Sequence, residues 1–204
     1  MGNGPSVLKR ELADKVDSHD IVIRCNQYRV AGYEKYIGTK VDIWAMETKC
    51  FAMSGFVKQE GLVMPGSHYY ISKEFEKELA HRFKEAPEVW LIPSISYFKI
   101  CHGSVEKLTK QIKPLRDNFH IFSLQDIIEV SHAMWNAFPS TGAVCATWAA
   151  RLFETPVDII GFDHFKGMPG GYWETEWLDP NPHDSLREEA YIAQLVKQKK
   201  IKIL

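Results

Sequence analysis

Three short stretches carry residue types that can do chemistry. Pro139-Ser140-Thr141-Gly142 opens an apolar run and sets two hydroxyls at the start of a helix, where unpaired backbone N–H groups and the helix dipole favour polar or anionic ligands. For any one Ser or Thr in that place, an N-cap is the plainer reading. His183 begins the last helix, with Glu188 five residues on. An imidazole there can serve as a general base near neutral pH, as an N-cap, or as a half-buried ring satisfied by Asp184 or Ser185. At the opposite end, Gly2-Asn3-Gly4-Pro5 is a turn of the kind that follows a buried strand and delivers a loop to the C-terminal edge of a parallel sheet.

These stretches need elements to hold them. Residues 21–25 and 41–46 read as buried strands, with Asn26 and Gln27 just past the first, at the edge where open α/β sheets bind ligands. Residues 5–17 place Val7, Leu8, Leu12 and Val16 on one helical face, and 33–39 read as a loop closing at Gly38. Further on, 69–72, 89–92 and 119–122 suggest strands, and 73–85, 105–112 and 124–137 suggest helices. In 139–162 a helix breaks at Thr155 and Pro156 into a β-branched run that ends at Gly161, and 201–204 is strand-like. Strand and helix alternate, so the fold class is α/β: a single layered domain over 1–204 with a mostly parallel central sheet. No strand precedes the Gly2 turn. Either the chain is truncated, the start site is misassigned, or the sheet lacks what should be a central strand.

Composition narrows the partners. The chain has 204 residues, is 45% hydrophobic, and carries a formal net charge of −1, which suits one domain with a sizeable core and no polyanion partner. Lys197, Lys199, Lys200 and Lys202 read as a solvated face, so nucleic acid is not expected. No run reaches the roughly 18 apolar residues of a membrane span and no signal peptide is visible, so a soluble, cytoplasmic chain is expected. Cys25, Cys50, Cys101 and Cys145 show no CxxC pairing, which argues against zinc and for reduced thiols. Residues 163–182 hold six glycines and prolines around Tyr172, Trp173 and Trp177, and read as an active-site lid.

Taken together, GNGPS at 2–6, DSHDIVIRCN at 17–26, IGTKVD at 37–42 and PSTG at 139–142 resemble the large and small sialylmotifs of the sialyltransferases, above all family 29 of the glycosyltransferases and more loosely family 42. His183 with Glu188 matches the fourth sialylmotif of that family, and GYWE at 171–174 falls where relatives carry the third. The resemblance implies a Rossmann-like, GT-A-like variant fold. It also implies an inverting transfer of sialic acid from a CMP-sugar donor to a glycan hydroxyl, with His183 as general base. Asn3, Gly4 and Asn26 would bind the donor, the two amides facing its phosphate. Ser140, Thr141 and Gly142 would hold the cytidine end, and Tyr172 would add a hydroxyl. No Asp-x-Asp triplet occurs, so no metal or other cofactor is expected.

The chain departs from the family pattern in three places. The third-motif histidine is Gly171 here, so His164 substitutes from the loop or leaving-group stabilisation is weaker. Glu47 occupies the place of an asparagine. The resemblance would link the large and small motifs by a disulfide, yet one partner position is Phe153 and the other would precede Gly2. That implies a relative outside the secretory lumen, or a fragment, in which case the Golgi lumen is the expected location. Two rival readings stay open: a catalytically impaired nucleotide- or glycan-binding relative, and a transferase using CMP-linked keto-deoxy-octulosonate. Tyr97, Phe98, His102, Trp135 and Phe138 could stack on sugar rings, although aromatics at helical spacing are more often core.

Overall fold

The structure, a computed structural model, describes residues 1–47, 81–83, 86–93, 109–110, 113, 116–153, 156–164, 171–172 and 183–204. The elements expected at 69–72, 73–80 and 105–108, most of the lid, the aromatics at 97, 98 and 102, and Cys50 and Cys101 lie outside these residues.

Two apolar runs, at 43–46 and 89–92, form parallel strands buried on both faces, as their lack of polar alternation requires, whereas the strands at 119–121, 157–159 and 201–203 each carry a polar residue and are less completely buried. Strands β1 (Ile23–Cys25), β2 (Ile43–Glu47), β3 (Glu88–Ile92) and β4 (Phe119–Ile121) lie side by side in that order, every pair parallel. Ile23 stands opposite Ile43, Ile43 opposite Glu88, and Val89 opposite Phe119. A second parallel pair joins β5 (Val157–Ile159) to β6 (Ile201–Ile203), with Val157 opposite Ile201. Residues 1–4 run between the two sheets. Met1 donates its amino group to the Ile23 carbonyl at 2.6 Å and accepts from the Cys25 N–H at 3.2 Å. On the other side Gly2 N–H donates to the Ile160 carbonyl and Gly4 N–H to that of Gly161, both at 2.9 Å.

Helices cover both faces. The larger core gathers Trp90, Ile92 and Phe122 with side chains from α3 (Leu124–Ala133), α4 (Thr141–Leu152) and α5 (Ser185–Lys197). The smaller one holds Val7, Val16, Val22, Ile37, Ile160 and Tyr172, and draws on α1 (Ala13–Asp17) and α2 (Glu34–Ile37). Adjacent residues Ile159 and Ile160 enter different cores, as the two-residue period of extended chain demands.

Three expectations need correction. The helix expected over 5–17 is a 3-10 turn, Pro5–Lys9, followed by α1, with Arg10 extended between them. Leu12 N–H goes to the Tyr36 carbonyl, a tertiary partner in place of the carbonyl four residues back that a continuous helix would have used, while the Asp163 carboxylate takes Ser6 N–H, a first-turn donor that any helix leaves unpaired. The loop expected over 33–39 contains the single turn α2 before Gly38, whose φ of 66° favours glycine. Helix α3 stops at Ala133 rather than 137, because Trp135 and Asn136 take left-handed backbone.

One buried cation ties this framework together. Arg24, 1% exposed on β1, donates to the carbonyls of Lys40, Ile37 and Gly38 and thereby fixes the loop between α2 and β2. Replacing it by Met keeps most of the volume and orphans those carbonyls, so Arg24→Met should lower unfolding free energy in urea by about 2 kcal/mol. An unchanged midpoint would show that the loop does not depend on the guanidinium.

Candidate functional site

Ligand-capable side chains collect where the strands end. Asn26 follows β1 with φ of 51°, a conformation asparagine tolerates better than most residues. Its N–H donates to Ala45 at 2.7 Å, its carbonyl accepts from the Trp44 indole at 2.8 Å, and its side-chain oxygen accepts from Glu47 N–H at 3.1 Å. With both oxygens committed, the amide Nδ2 is the group Asn26 has to offer; among the described residues it has no acceptor. Asn3 is arranged the other way. Its Nδ2 donates to the Cys25 carbonyl at 2.9 Å and, more weakly, to that of Gln27 at 3.4 Å, so its side-chain oxygen is the outward group. The Asn3 carbonyl accepts from Tyr172 N–H at 2.9 Å.

Close backbone approach positions the turn that holds Asn3. A Cβ on Gly2 would fall 2.2 Å from the Gly161 carbonyl oxygen, so neither chain can carry more bulk at that crossing. Gly4 packs on the Asp163 side chain, and Asp163 in turn accepts the Ser6 N–H at 2.8 Å. Phe162 lies against both Gly2 and Gly142, so one ring spaces the Gly2 turn from the Ser140 turn. Neither Phe162 nor Asp163 was singled out by sequence; the signal available was their position directly after Gly161, at the sheet edge.

Ser140, Thr141 and Gly142 begin α4. The Ser140 hydroxyl accepts from Ala143 N–H at 3.1 Å, the N-cap geometry, which leaves the N–H groups of Thr141 and Gly142 as the unspent donors of the first turn. Ser140 N–H is itself taken by Glu188 Oε2 at 3.2 Å. Glu188 sits in the first turn of α5 and is 3% exposed, and its other oxygen lies 3.8 Å from His164 Nδ1. His164 follows β5 with φ of 51°, is nearly buried, and leaves that nitrogen without a hydrogen bond among the described residues. One carboxylate thus joins the start of α4, the start of α5 and the segment after β5.

His183 enters the same neighbourhood from the residue before the α5 cap. Asp184 is the N-cap, accepting from Arg187 N–H, so His183 is not. Its Nδ1 pairs with the Phe138 carbonyl at 3.1 Å instead of with Asp184 or Ser185, and its ring stacks on Phe138 at 5.3 Å. Trp135, by contrast, is largely exposed. Tyr172 is buried edge-on against Tyr33, and its hydroxyl both accepts from Arg29 N–H and donates to the Arg29 carbonyl. Burial pushes that phenol up to about 12, so it stays a neutral O–H throughout the physiological range.

Among the described residues, no cluster of three His, Cys, Asp or Glu side chains could hold a metal ion, and no helix is long and apolar enough to cross a membrane. The family profile described as glycosyltransferase family 29 (sialyltransferase) matches residues 1–200. The chain is 25% identical over 213 residues to CMP-N-acetylneuraminate-beta-galactosamide-alpha-2,3-sialyltransferase 1 of Pan troglodytes, covering 100% of this chain and 56% of that one. It is 25% identical to the Homo sapiens CMP-N-acetylneuraminate-beta-1,4-galactoside alpha-2,3-sialyltransferase, covering 98% and 55%. The chain therefore spans about half the length of these curated relatives. The crystal structure of a mammalian sialyltransferase in complex with Gal-beta-1-3GalNAc-ortho-nitrophenol superposes with a TM-score of 0.59 at 20% identity, over 100% of this chain and 66% of that one. The Rossmann-like, GT-A-like fold is shared.

The surroundings of His183 set its protonation. Burial disfavours the imidazolium and holds its pKa below the usual 6.5, against a smaller upward pull from the Phe138 carbonyl and the Glu188 charge. With Nδ1–H donated to that carbonyl, the neutral ring keeps a lone pair on Nε2. A depressed folded pKa leaves the native state short of protons relative to the unfolded chain, so this contribution is complete above about pH 6.5 and is lost as pH falls through the folded pKa. The stability difference between the parent chain and His183→Gln should therefore shrink, in favour of the variant, between pH 7.5 and 5 in urea unfolding. Parallel pH profiles would locate the depressed group elsewhere.

Proposed function

The chain belongs to glycosyltransferase family 29, the sialyltransferases, and from that premise we propose that it transfers sialic acid from CMP-sialic acid to a glycan hydroxyl, inverting the anomeric centre without a metal. The observation that carries this reading is the convergence of the Ser140 turn and His164 on the buried Glu188 carboxylate, with His183 held to the Phe138 carbonyl just before that turn. The relatives' names specify beta-galactosamide or beta-1,4-galactoside and an alpha-2,3 linkage, so galactosides are the first acceptors to try.

The roles follow from the donors and acceptors on hand. Neutral His183 takes the proton from the attacking hydroxyl at Nε2 while Nδ1–H stays on the Phe138 carbonyl, which fixes the ring and stabilises the imidazolium that forms. Attack on the anomeric carbon breaks its bond to the CMP phosphate, and negative charge builds on phosphate oxygens. Asn26 Nδ2 and the first-turn N–H groups of Thr141 and Gly142 are neutral donors already held in place, which is what lowers such a barrier without reorganisation. Gly4 and Asn3 shape the turn beside them, and His164, next to Asp163 and Glu188, supplies a further ring nitrogen. Tyr172 holds that turn through its backbone and through Arg29.

Two tests bear on this directly. The chain should release CMP from CMP-sialic acid in EDTA only when a galactoside is present; binding of CMP in calorimetry without release would favour the impaired relative, and use of CMP-linked keto-deoxy-octulosonate in place of the sialyl donor would reassign the sugar. His183→Ala should lower kcat by about a hundredfold or more with the CMP dissociation constant nearly unchanged, whereas Asn26→Ala should weaken both. Equal turnover in His183→Ala would remove the proposed base.

A further inference from the structure

Two thiols that take no part in the proposed transfer meet behind the candidate site. Cys25 ends β1 and Cys145 lies in the second turn of α4, more than a hundred residues away in sequence; both are free, and each is 4% exposed. Their side chains enter the same core and share a hydrogen bond.

The residues around them explain why a helix comes so close to a strand. Cys145, Ala146 and Ala149 fall at the three- and four-residue spacing of one helix face, and all three are buried. On the sheet, Ala45 of β2 stands directly opposite Cys25 and is fully buried. Small side chains on both surfaces bring the two backbones together. A disulfide needs that approach, since its Cα atoms must lie within about 7 Å of each other.

We infer that Cys25 and Cys145 are a disulfide site, at which hydrogen peroxide converts the contact between the end of β1 and α4 into a covalent bond. The hydrogen bond from Cys145 favours the thiolate of Cys25 and lowers its pKa, whereas burial, followed by that same bond, raises the pKa of Cys145 well above the usual thiol value. Cys25 is therefore the attacking sulfur. Its thiolate forms an S–O bond to the peroxide as the O–O bond breaks, and the departing hydroxide takes up the proton that Cys25 gave away. The Cys145 sulfur then attacks the Cys25 sulfenic acid; the S–S bond forms, the S–O bond breaks, and the second hydroxide leaves as water with the Cys145 proton. Two thiols lose two electrons, and one peroxide becomes two waters.

The bond would bear on the site without belonging to it. The Cys25 carbonyl accepts from Asn3 Nδ2 at 2.9 Å, Asn26 is the next residue, and α4 opens with the Ser140 turn. Closing the pair ties the backbone that holds both asparagines to the helix that carries that turn.

The test uses the whole chain and no activity, so its outcome is separate from that of the proposed transfer. After exposure to a slight excess of hydrogen peroxide, the chain is unfolded, its free thiols are alkylated, and its tryptic peptides are weighed. The peptide containing Cys25 should be joined to the one containing Cys145, lighter by two hydrogens than the reduced pair, and dithiothreitol should separate them. Because the bond closes a loop of more than a hundred residues, the oxidised chain should melt about 5 °C or more above the reduced one. In Cys145→Ala the sulfenic acid has no resolving thiol, so a cyclic diketone should label Cys25 there, and that label should be lost in the parent chain. Recovery of Cys25 and Cys145 as alkylated thiols or as separate sulfinic acids, or linkage to Cys50 or Cys101 instead, would overturn the proposal. A linked chain that melts no higher than the reduced one would overturn it too, since closure would then strain the contact rather than fasten it. The joined peptide from the parent chain decides the matter if the variant does not fold.

Discussion

The backbone pairing of residues 1–4 with β1 on one side and the Ile160-Gly161 segment on the other is the constraint on which the rest depends. Four hydrogen bonds there connect two sheets that pair nowhere else among the described residues. They require the Gly2 and Gly161 backbones to touch, and a touching pair admits no side chain on either. Everything that follows Gly161, Phe162 against both turns, Asp163 on Ser6, His164 on Glu188, takes its position from that crossing. The site is thus assembled from chain ends and turns, but its geometry is fixed by ladder-like bonds.

Burying Glu188 has a cost that its location explains. A carboxylate 3% exposed, with one backbone N–H and one imidazole at 3.8 Å, is thinly solvated for a charge. It also lies in the first turn of α5 beside the first turn of α4, where the unpaired N–H groups of two helices supply positive potential. Replacing it with an apolar residue would relieve burial but leave Ser140 N–H without a partner, and the Ser140 turn would lose its tie to α5. The carboxylate is better understood as the price of holding two helix starts together.

How much of this could be read from the residues depends on whether the signal was local. Strands at 43–46, 89–92 and 119–121 follow from β-branched and aromatic runs, and α4 and α5 from a capping residue before an amphipathic stretch; all are formed close to where local chemistry puts them. The Ser140 turn and His183 were legible for the same reason. What was not legible depends mostly on distant partners. At the break after Lys9 the Leu12 N–H is taken by Tyr36, far off in sequence, whereas the left-handed pair that ends α3 is fastened nearby, by Ser131 to Asn136 and Ala137, in a turn without glycine to announce it. The tautomer of His183 could not be foreseen, since its partner is the carbonyl of Phe138, not a neighbouring side chain. Nor could the orientation of Asn3, whose amide turns inward onto Cys25 and Gln27.

The same distribution of bonds constrains how charge can be handled. Among the described residues the buried cation, Arg24, is spent on three backbone carbonyls, and Lys40 on those of His19 and Asp20. Neither is placed to neutralise a phosphate without giving up the loop it holds. Tyr172 cannot ionise near neutral pH, and its hydroxyl is engaged with Arg29. What the described residues offer at the strand ends, beside the ring nitrogen of His164, is a set of neutral donors: one asparagine amide and the opening N–H groups of α4. Such donors would bind a dianion less tightly than fixed cations, which would suit the departing phosphate of the transfer proposed above. They act by orientation, so their worth depends on rigidity, and rigidity here returns to the backbone crossing of Gly2 and Gly161.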